Sequence, residues 1–228
     1  MSRERFQVLP KLTQDEYIEK YAKILKSKRF SRFLKRIFDI TFSVIAIIIF
    51  ILPMILIALV VAFTSSGGPF FVQARVGING EKFSMIKFRT MTKARSSKAL
   101  ELTVENDARI TKIGKILRKM RLDELPQFFN IFLGQMSFVG PRPEVRQYVD
   151  EYTGEMMATL LIRPGMAGLA QIEFSNESEI LAKSENPQEF YVNEILPQKC
   201  RTNLEYIKKL SLRADVKILA KTFFHIFK

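Results

Sequence analysis

The chain has 228 residues, the size of one domain or two small ones. Its single Cys and single His (His225) exclude an internal disulfide, zinc sites built from cysteines and histidines, a Ser-His-Asp triad and an HExxH metalloprotease, so any chemistry must come from carboxylates, arginines, lysines and a bound metal. Lys and Arg total 36 against 23 Asp and Glu, and the net charge of +13 implies an anionic partner: nucleic acid, an acidic membrane surface or a phosphorylated substrate. A hydrophobic content of 47% excludes a disordered chain.

In chain order, residues 1–36 form a basic amphipathic extension carrying a net +7. Thr13-Gln14-Asp15-Glu16 has the pattern of a capping box, and residues 13–36 are predicted to be a helix with Tyr17, Ile18, Tyr21, Ile24 and Leu25 in an apolar stripe. Such a stripe either lies on anionic lipid or packs on its own domain.

Between Asp39 and Arg75 no residue is charged, and residues 40–63 are almost entirely apolar. Twenty-four such residues suffice to cross a hydrocarbon core of about 30 Å. Pro53 removes a backbone donor near the middle, and both flanks are rich in Lys and Arg. A simple span cannot keep both basic flanks on one side, whereas a helix-break-helix entering and leaving by one leaflet can. A re-entrant membrane segment at 37–63 with both ends cytoplasmic is therefore favoured, and a Pro-kinked span is the alternative.

Residues 64–228 have the texture of a globular domain of mixed class, mainly α with a few short β-strands. Residues 69–74 and 83–91 read as strands around an Asn79-Gly80 turn. Asn106 or Asp107 is placed to cap a helix bearing Ile110, Ile113, Ile116, Leu117 and Met120. A short helix is predicted over 123–133, and a longer one over 201–227 whose aromatic, basic end suits a membrane interface.

Asp123-Glu124 is the only adjacent acidic pair between Asp39 and Phe138, and it lies among Arg118, Lys119, Arg121, Arg142 and Arg146. A carboxylate pair at a helix start can be a plain cap. It can also be a nucleophile beside a metal ligand, because Asp can attack phosphorus and Mg²⁺ commonly takes one or two carboxylates plus substrate phosphates. Arg75, Arg89, Arg118, Arg142 and Arg163 sit in distinctive settings, and arginine forks match phosphate oxygens. Pro141-Arg142-Pro143 pins one of them between two prolines.

These residues resemble the small monotopic phosphoglycosyl transferases, bacterial sugar transferases that start glycan assembly on a polyprenyl phosphate. The resemblance rests on Lys35-Arg36-Ile37-Phe38-Asp39, Gln73-Ala74-Arg75-Val76-Gly77, Lys87-Phe88-Arg89-Thr90-Met91, Arg118 with Leu122-Asp123-Glu124-Leu125-Pro126-Gln127, and Met136-Ser137-Phe138-Val139-Gly140-Pro141-Arg142-Pro143. Arg163-Pro164-Gly165, Gly168, Ala170-Gln171, Ser211-Leu212 and Asp215 extend it, so that it covers roughly residues 33–222 in order. With no multi-span domain ahead of it, the chain looks like the minimal catalytic form.

The resemblance implies a membrane helix broken near Pro53 and Asp123 as nucleophile on the β-phosphate of a UDP-sugar. UMP would leave, and the phosphosugar would pass to polyprenyl phosphate. It implies Mg²⁺ held with the help of Glu124, phosphate contacts from Arg118, Arg142 and Arg163, and lesser roles for Arg75 and Arg89. Implied partners are UDP-sugar, polyprenyl phosphate and anionic lipid at the cytoplasmic face of a bacterial inner membrane, with a homo-oligomer or downstream glycosyltransferases beyond these. The runner-up is an inactive membrane-surface scaffold of the same family. Nucleic-acid binding is set aside because no recognition motif accompanies the charge. Leu169 stands where the family often has Trp, and Glu144 where some members have Leu, which leaves the donor sugar open. Residues 174–200 add little to the resemblance.

Overall fold

A computed structural model describes residues 16–65, 67–92 and 107–226. Helix α1 (Glu16–Ser27) turns its apolar stripe inward, burying Ile18, Tyr21 and Leu25. The Tyr21 hydroxyl donates to Glu155 at 3.0 Å, in a 3₁₀ segment over Gly154–Leu161. Of the two fates open to this stripe, packing on its own domain is the one observed, because the domain offers an apolar partner and a carboxylate. The capping box at 13–16 lies largely outside the described residues.

Helix α2 (Arg29–Thr64) takes over from Arg29, well before the apolar run, and the basic residues 29–36 belong to it rather than to α1. At 36 residues it is about 54 Å long. The expected break at Pro53 is not seen, and the helix continues through it. Proline forfeits one backbone bond, but apolar surroundings offer the remaining donors and acceptors no partner except each other. It is the one helix among the described residues long and apolar enough to cross a membrane. Much of its surface is bare hydrocarbon, with Ile48 68% and Leu52 63% exposed. A narrow stripe including Met54 and Val61 is buried instead, in a cluster with Phe83, Met85, Phe128 and Ile131.

Strands β1 (Phe70–Val76) and β2 (Lys82–Phe88) form an antiparallel hairpin with Phe70 opposite Phe88 and Val76 opposite Lys82. Asn79 and Gly80 both adopt positive φ, 55° and 76°, as their sequence forecast. Helix α3 (Lys112–Lys119) is capped by neither Asn106 nor Asp107. Asn106 lies outside the described residues. The Asp107 carboxylate is taken by Arg109, and the Thr111 hydroxyl caps the helix by accepting from the Gly114 amide at 3.0 Å.

The segment expected as one helix over 123–133 is a 3₁₀ turn (Leu122–Glu124) followed by α4 (Gln127–Phe132). From α4, Asn130 reaches across to β2: its Oδ1 accepts from the Ile86 amide and its Nδ2 donates to the Ser84 carbonyl. Strands β3 (Ser137–Val139) and β4 (Gly165–Ala167) pair in parallel and bring the two Pro-Gly turns together. A Cβ on Gly165 would lie 2.0 Å from the Gly140 nitrogen, so this contact admits no side chain.

After β3 come α5 (Arg146–Val149) and the 3₁₀ segment. After β4 come α6 (Leu169–Glu173), α7 (Glu177–Ala182), α8 (Pro187–Phe190), a π turn (Tyr191–Ile195), α9 (Leu196–Lys208) and α10 (Leu212–Ile226). Two cores result. One gathers α1, α5 and α9; the other gathers α2, the hairpin, α3 and α4, and Phe138 packs against both. The α2 foot is bolted to α10 by a buried ion pair, Lys35 Nζ to Asp215 Oδ2 at 2.6 Å, and the Tyr206 hydroxyl donates to the other Asp215 oxygen. Asp39 accepts from the Ser137 hydroxyl and the Phe138 amide, which fixes α2 to β3. The expected class, mainly helical with short strands, is what is observed.

Candidate active site

Helix α3 ends at Lys119, and Arg121 then adopts a left-handed conformation, φ 57°. This reversal, rare for a residue with a Cβ, redirects the chain into the 3₁₀ turn and turns Leu122, Asp123 and Glu124 inward. Asp123 and Glu124 are 7% and 5% exposed. Neither caps α4, whose amino end is marked by Pro126 with no side-chain cap.

The two carboxylates have different surroundings. One oxygen of Glu124, Oε1, accepts from Lys87 Nζ at 2.9 Å and from Arg142 Nη2 at 3.0 Å. Burial opposes its ionisation, but the Lys87 and Arg142 charges outweigh burial and hold it well below the usual carboxylate range. Asp123 makes no hydrogen bond or ion pair among the described residues, although Lys87, Arg118 and Arg142 lie near enough to act on it electrostatically. Burial, then the neighbouring Glu124 charge, raise its proton affinity, and those three cations partly offset the rise.

The cations come from three elements. Lys87 extends from β2; burial lowers its proton affinity, with Glu124 opposing. Arg118, in the last turn of α3, donates from Nε to the Thr90 hydroxyl at 2.8 Å and is attracted by Asp123. Arg142 lies between its prolines just past β3, and Glu124 raises its already high proton affinity. The turn that holds it is braced twice. Arg75 Nη1 donates to the Pro143 carbonyl at 3.0 Å, and the Val76 amide donates to the Glu144 carbonyl.

Of the arginines singled out in the sequence, Arg118 and Arg142 therefore join Asp123 and Glu124. Arg75 supports the Arg142 turn from behind. Arg89 braces the start of the hairpin through the Gly68 and Phe70 carbonyls. Arg163 is placed apart, donating to the Gly134 carbonyl near Arg32 and Arg36. The Glu144 side chain points into a buried set with Tyr191, Lys199 and Arg75. Leu169 packs partly buried against the first core.

Lys87 is the site residue that sequence reasoning passed over. The signal was present: strand alternation puts Lys87 on the same face as Phe83 and Met85, both buried, and a lysine on an apolar face needs a partner.

Chemically, an unengaged carboxylate amid cations can attack an anionic centre such as phosphorus, because the surrounding charge offsets that of the approaching ligand. The second carboxylate retains one oxygen, Oε2, outside its two ion pairs.

Residues 30–228 match the family described as bacterial sugar transferase. The chain is 37% identical over 196 residues to the UDP-N-acetylgalactosamine-undecaprenyl-phosphate N-acetylgalactosaminephosphotransferase of Aeromonas hydrophila, covering 83% of this chain and 43% of that protein. It is 37% identical over 197 residues to the UDP-glucose:undecaprenyl-phosphate glucose-1-phosphate transferase of Klebsiella pneumoniae, covering 85% and 40% respectively. The chain thus spans less than half the length of these two relatives. Against the exopolysaccharide production protein ExoY of Rhizobium meliloti it is 33% identical, with 82% of this chain and 83% of that protein covered. With the match running from the foot of α2 to the carboxyl terminus and taking in every residue of the carboxylate site, the chain belongs to the bacterial sugar transferase family.

Proposed function

We propose that the protein transfers a sugar 1-phosphate from a UDP-sugar to polyprenyl phosphate, beginning the assembly of a bacterial glycan. The observation that carries this is the Asp123 carboxylate, unengaged among the described residues, buried beside a Glu124 whose Oε1 is paired to Lys87 and Arg142, with Arg118 also near. The names of the relatives, which join UDP-sugars to undecaprenyl phosphate, support the substrate classes.

In the first half-reaction an Asp123 oxygen attacks the β-phosphorus of the donor. The bond from that phosphorus to the oxygen bridging the two phosphates breaks, and UMP departs with the bridging oxygen. The phosphosugar stays on Asp123 as an acyl phosphate. In the second, a phosphate oxygen of the lipid attacks the same phosphorus and Asp123 leaves as carboxylate. Arg118 and Arg142 stabilise charge on the transferring phosphoryl group, and Lys87 holds Glu124 in place.

The donor set fits Mg²⁺, which takes one or two carboxylates and completes its shell with water and phosphate oxygens. Glu124 Oε2 and Asp123 would hold it, and when bound it would neutralise diphosphate charge.

The membrane reading extends this. Lys35, before Pro53, is bonded to Asp215, whereas Met54 and Val61, beyond it, are buried with Phe83, Met85 and Phe128. Both ends of α2 thus hold the same body, and a straight span would carry these contacts to opposite sides of the bilayer. This supports both ends of α2 lying at the cytoplasmic face, a re-entrant arrangement in which Pro53, where a backbone bond is missing, is the point at which the helix would bend in a membrane. A water-soluble donor and a lipid acceptor then meet at one interface.

The test is to incubate the protein with a panel of UDP-sugars and Mg²⁺ without lipid, and to weigh the intact chain. One phosphosugar mass on Asp123, with an equivalent of UMP, is expected. Asp123→Asn should show neither while melting as the parent does. Unchanged turnover by that variant would refute the nucleophile, and the absence of UMP with every donor would refute the reaction.

A further inference from the structure

The foot of α2 and the carboxyl end of α4 meet at a cluster of three arginines with no ion-pair partner among the described residues. Arg36 donates to the Ile131 carbonyl at 2.8 Å and the Phe132 carbonyl at 2.9 Å. Arg163 Nε donates to the Gly134 carbonyl at 2.9 Å. Arg32 makes no side-chain hydrogen bond among the described residues, yet it lies close enough to Arg163 for their charges to repel, as Arg36 does. The nearest carboxylate that acts on Arg36, Asp39, is buried and already accepts from Ser137 and Phe138.

Two of these arginines have a structural task, since they meet carbonyls left open at the end of a helix. That task uses only part of what is present. Both terminal nitrogens of Arg163 and the whole Arg32 guanidinium have no hydrogen-bond or ion-pair partner among the described residues. Three like charges held together and partly out of water repel one another unless an anion joins them. Guanidinium forks suit phosphate oxygens.

The position identifies the carrier of that phosphate. Arg36 precedes the apolar run at residue 40 by four residues, about 6 Å of helix. Around the cluster, Phe33 is 60% and Leu133 65% exposed, with Ile37 and Phe132 exposed beside them. Apolar side chains next to unpaired guanidiniums match the boundary between acyl chains and headgroups. None of the three arginines bonds to Asp123 or Glu124 among the described residues: Arg36 and Arg163 hold carbonyls at the end of α4, and the Glu124 partners are Lys87 and Arg142.

We propose that Arg32, Arg36 and Arg163 form a binding site for a lipid-borne phosphate. The phosphate belongs either to a phospholipid headgroup or to the polyprenyl phosphate acceptor waiting outside the carboxylate site. The proposal rests on α2 being membrane-embedded and does not depend on the reaction.

The experiment is native mass spectrometry of the full detergent-extracted chain, titrated with phosphatidylglycerol and with diacylglycerol of the same acyl chains. The phosphate lipid should bind about tenfold or more tightly than diacylglycerol. Arg32→Gln and Arg163→Gln should each lose most of that preference, Arg32→Lys should restore part of it, and Lys26→Gln on exposed α1 should leave it unchanged. No preference in the parent, or an equal loss with Lys26→Gln, would overturn the site. Undecaprenyl phosphate distinguishes the sources. One-for-one displacement of phosphatidylglycerol, with a raised acceptor KM and unchanged donor KM in Arg32→Gln, assigns the site to the acceptor. Failure to compete assigns it to headgroups. The preference for the phosphate lipid is read without turnover, so its failure leaves the proposed reaction untouched. A chain that stays in solution without detergent would instead remove the membrane reading on which the site rests.

Discussion

Asp123 and Glu124 adjoin in the chain and are buried alike, yet their carboxyls are driven in opposite directions. Burial and then the Glu124 charge raise the proton affinity of Asp123. Burial acts on Glu124 too, but Lys87 and Arg142 bonded to its Oε1 outweigh it. One carboxylate is fixed in its charged form as a structural anion, and the other is left open to react.

The acid limb of the first half-reaction reports this difference. Asp123 attacks only when ionised, so UMP release should fall as pH drops through its raised value, at a pH above the ordinary aspartate value of about 3.9. Removing a stabilising cation with Arg118→Gln should move the limb higher still. Single-turnover UMP release across pH, without lipid, measures it free of acceptor titration. A limb that stays in place in Arg118→Gln would show that Arg118 does not act on the nucleophile.

Glu124→Gln should weaken the fold as well as the chemistry. It leaves Lys87 and Arg142 without their shared anion, at a cost of about 3 kcal/mol near neutral pH. The sign in pH follows from a depressed carboxyl. Its contribution is complete above its unfolded value of about 4.3 and is lost as pH falls toward its folded value. Melting curves of parent and variant in detergent should therefore converge in acid and stay apart at pH 7.

Gly165→Ala should separate β3 from β4. The added methyl would lie 2.0 Å from the Gly140 nitrogen, where only backbone could give way. A loss of about 3 kcal/mol in stability is expected, together with slower UMP release, because Arg142 sits two residues beyond Gly140. Melting and single-turnover assays on one preparation check both. Stability lost without any change in rate would show that the β3–β4 contact does not set the Arg142 position.

Topology can be read by thiol labelling. The single native thiol, Cys200, is buried and pushed up to about 12 by its burial, so it should stay silent to maleimide in the folded protein. Phe33→Cys and Lys82→Cys place exposed thiols before and after α2. Both should label from the cytoplasmic side only, in inverted but not right-side-out vesicles. Labelling from opposite sides would replace the re-entrant reading with a span.

What could be read from sequence followed local rules. The Asn79-Gly80 turn was legible because its two positive φ values suit those residues, and α2 because apolar composition alone marks it. The cap of α3 was not, since Asp107 is claimed by Arg109 and the shorter Thr111 takes its place. Arg163 stands beside a turn, as its sequence suggests, but the partner that fixes it is a carbonyl 29 residues away in the chain. Long-range partners of this kind leave no periodic trace. Lys87 does leave one, because the alternation of β2 sets it on the face of the buried Phe83 and Met85.

The Asn130 contact with β2 has one more consequence. Its amide engages the Ser84 carbonyl and the Ile86 amide on the outer side of the hairpin, where a further strand would otherwise pair. That edge is closed to strand addition, so neither a neighbouring copy nor an extended peptide can lengthen the sheet there. Because the block is built from α4, exposing the edge means first pulling α4 away, and the carboxylate turn just ahead of it would move with the helix. Aggregation through this edge and loss of the reactive site should therefore arise in the same unfolding step.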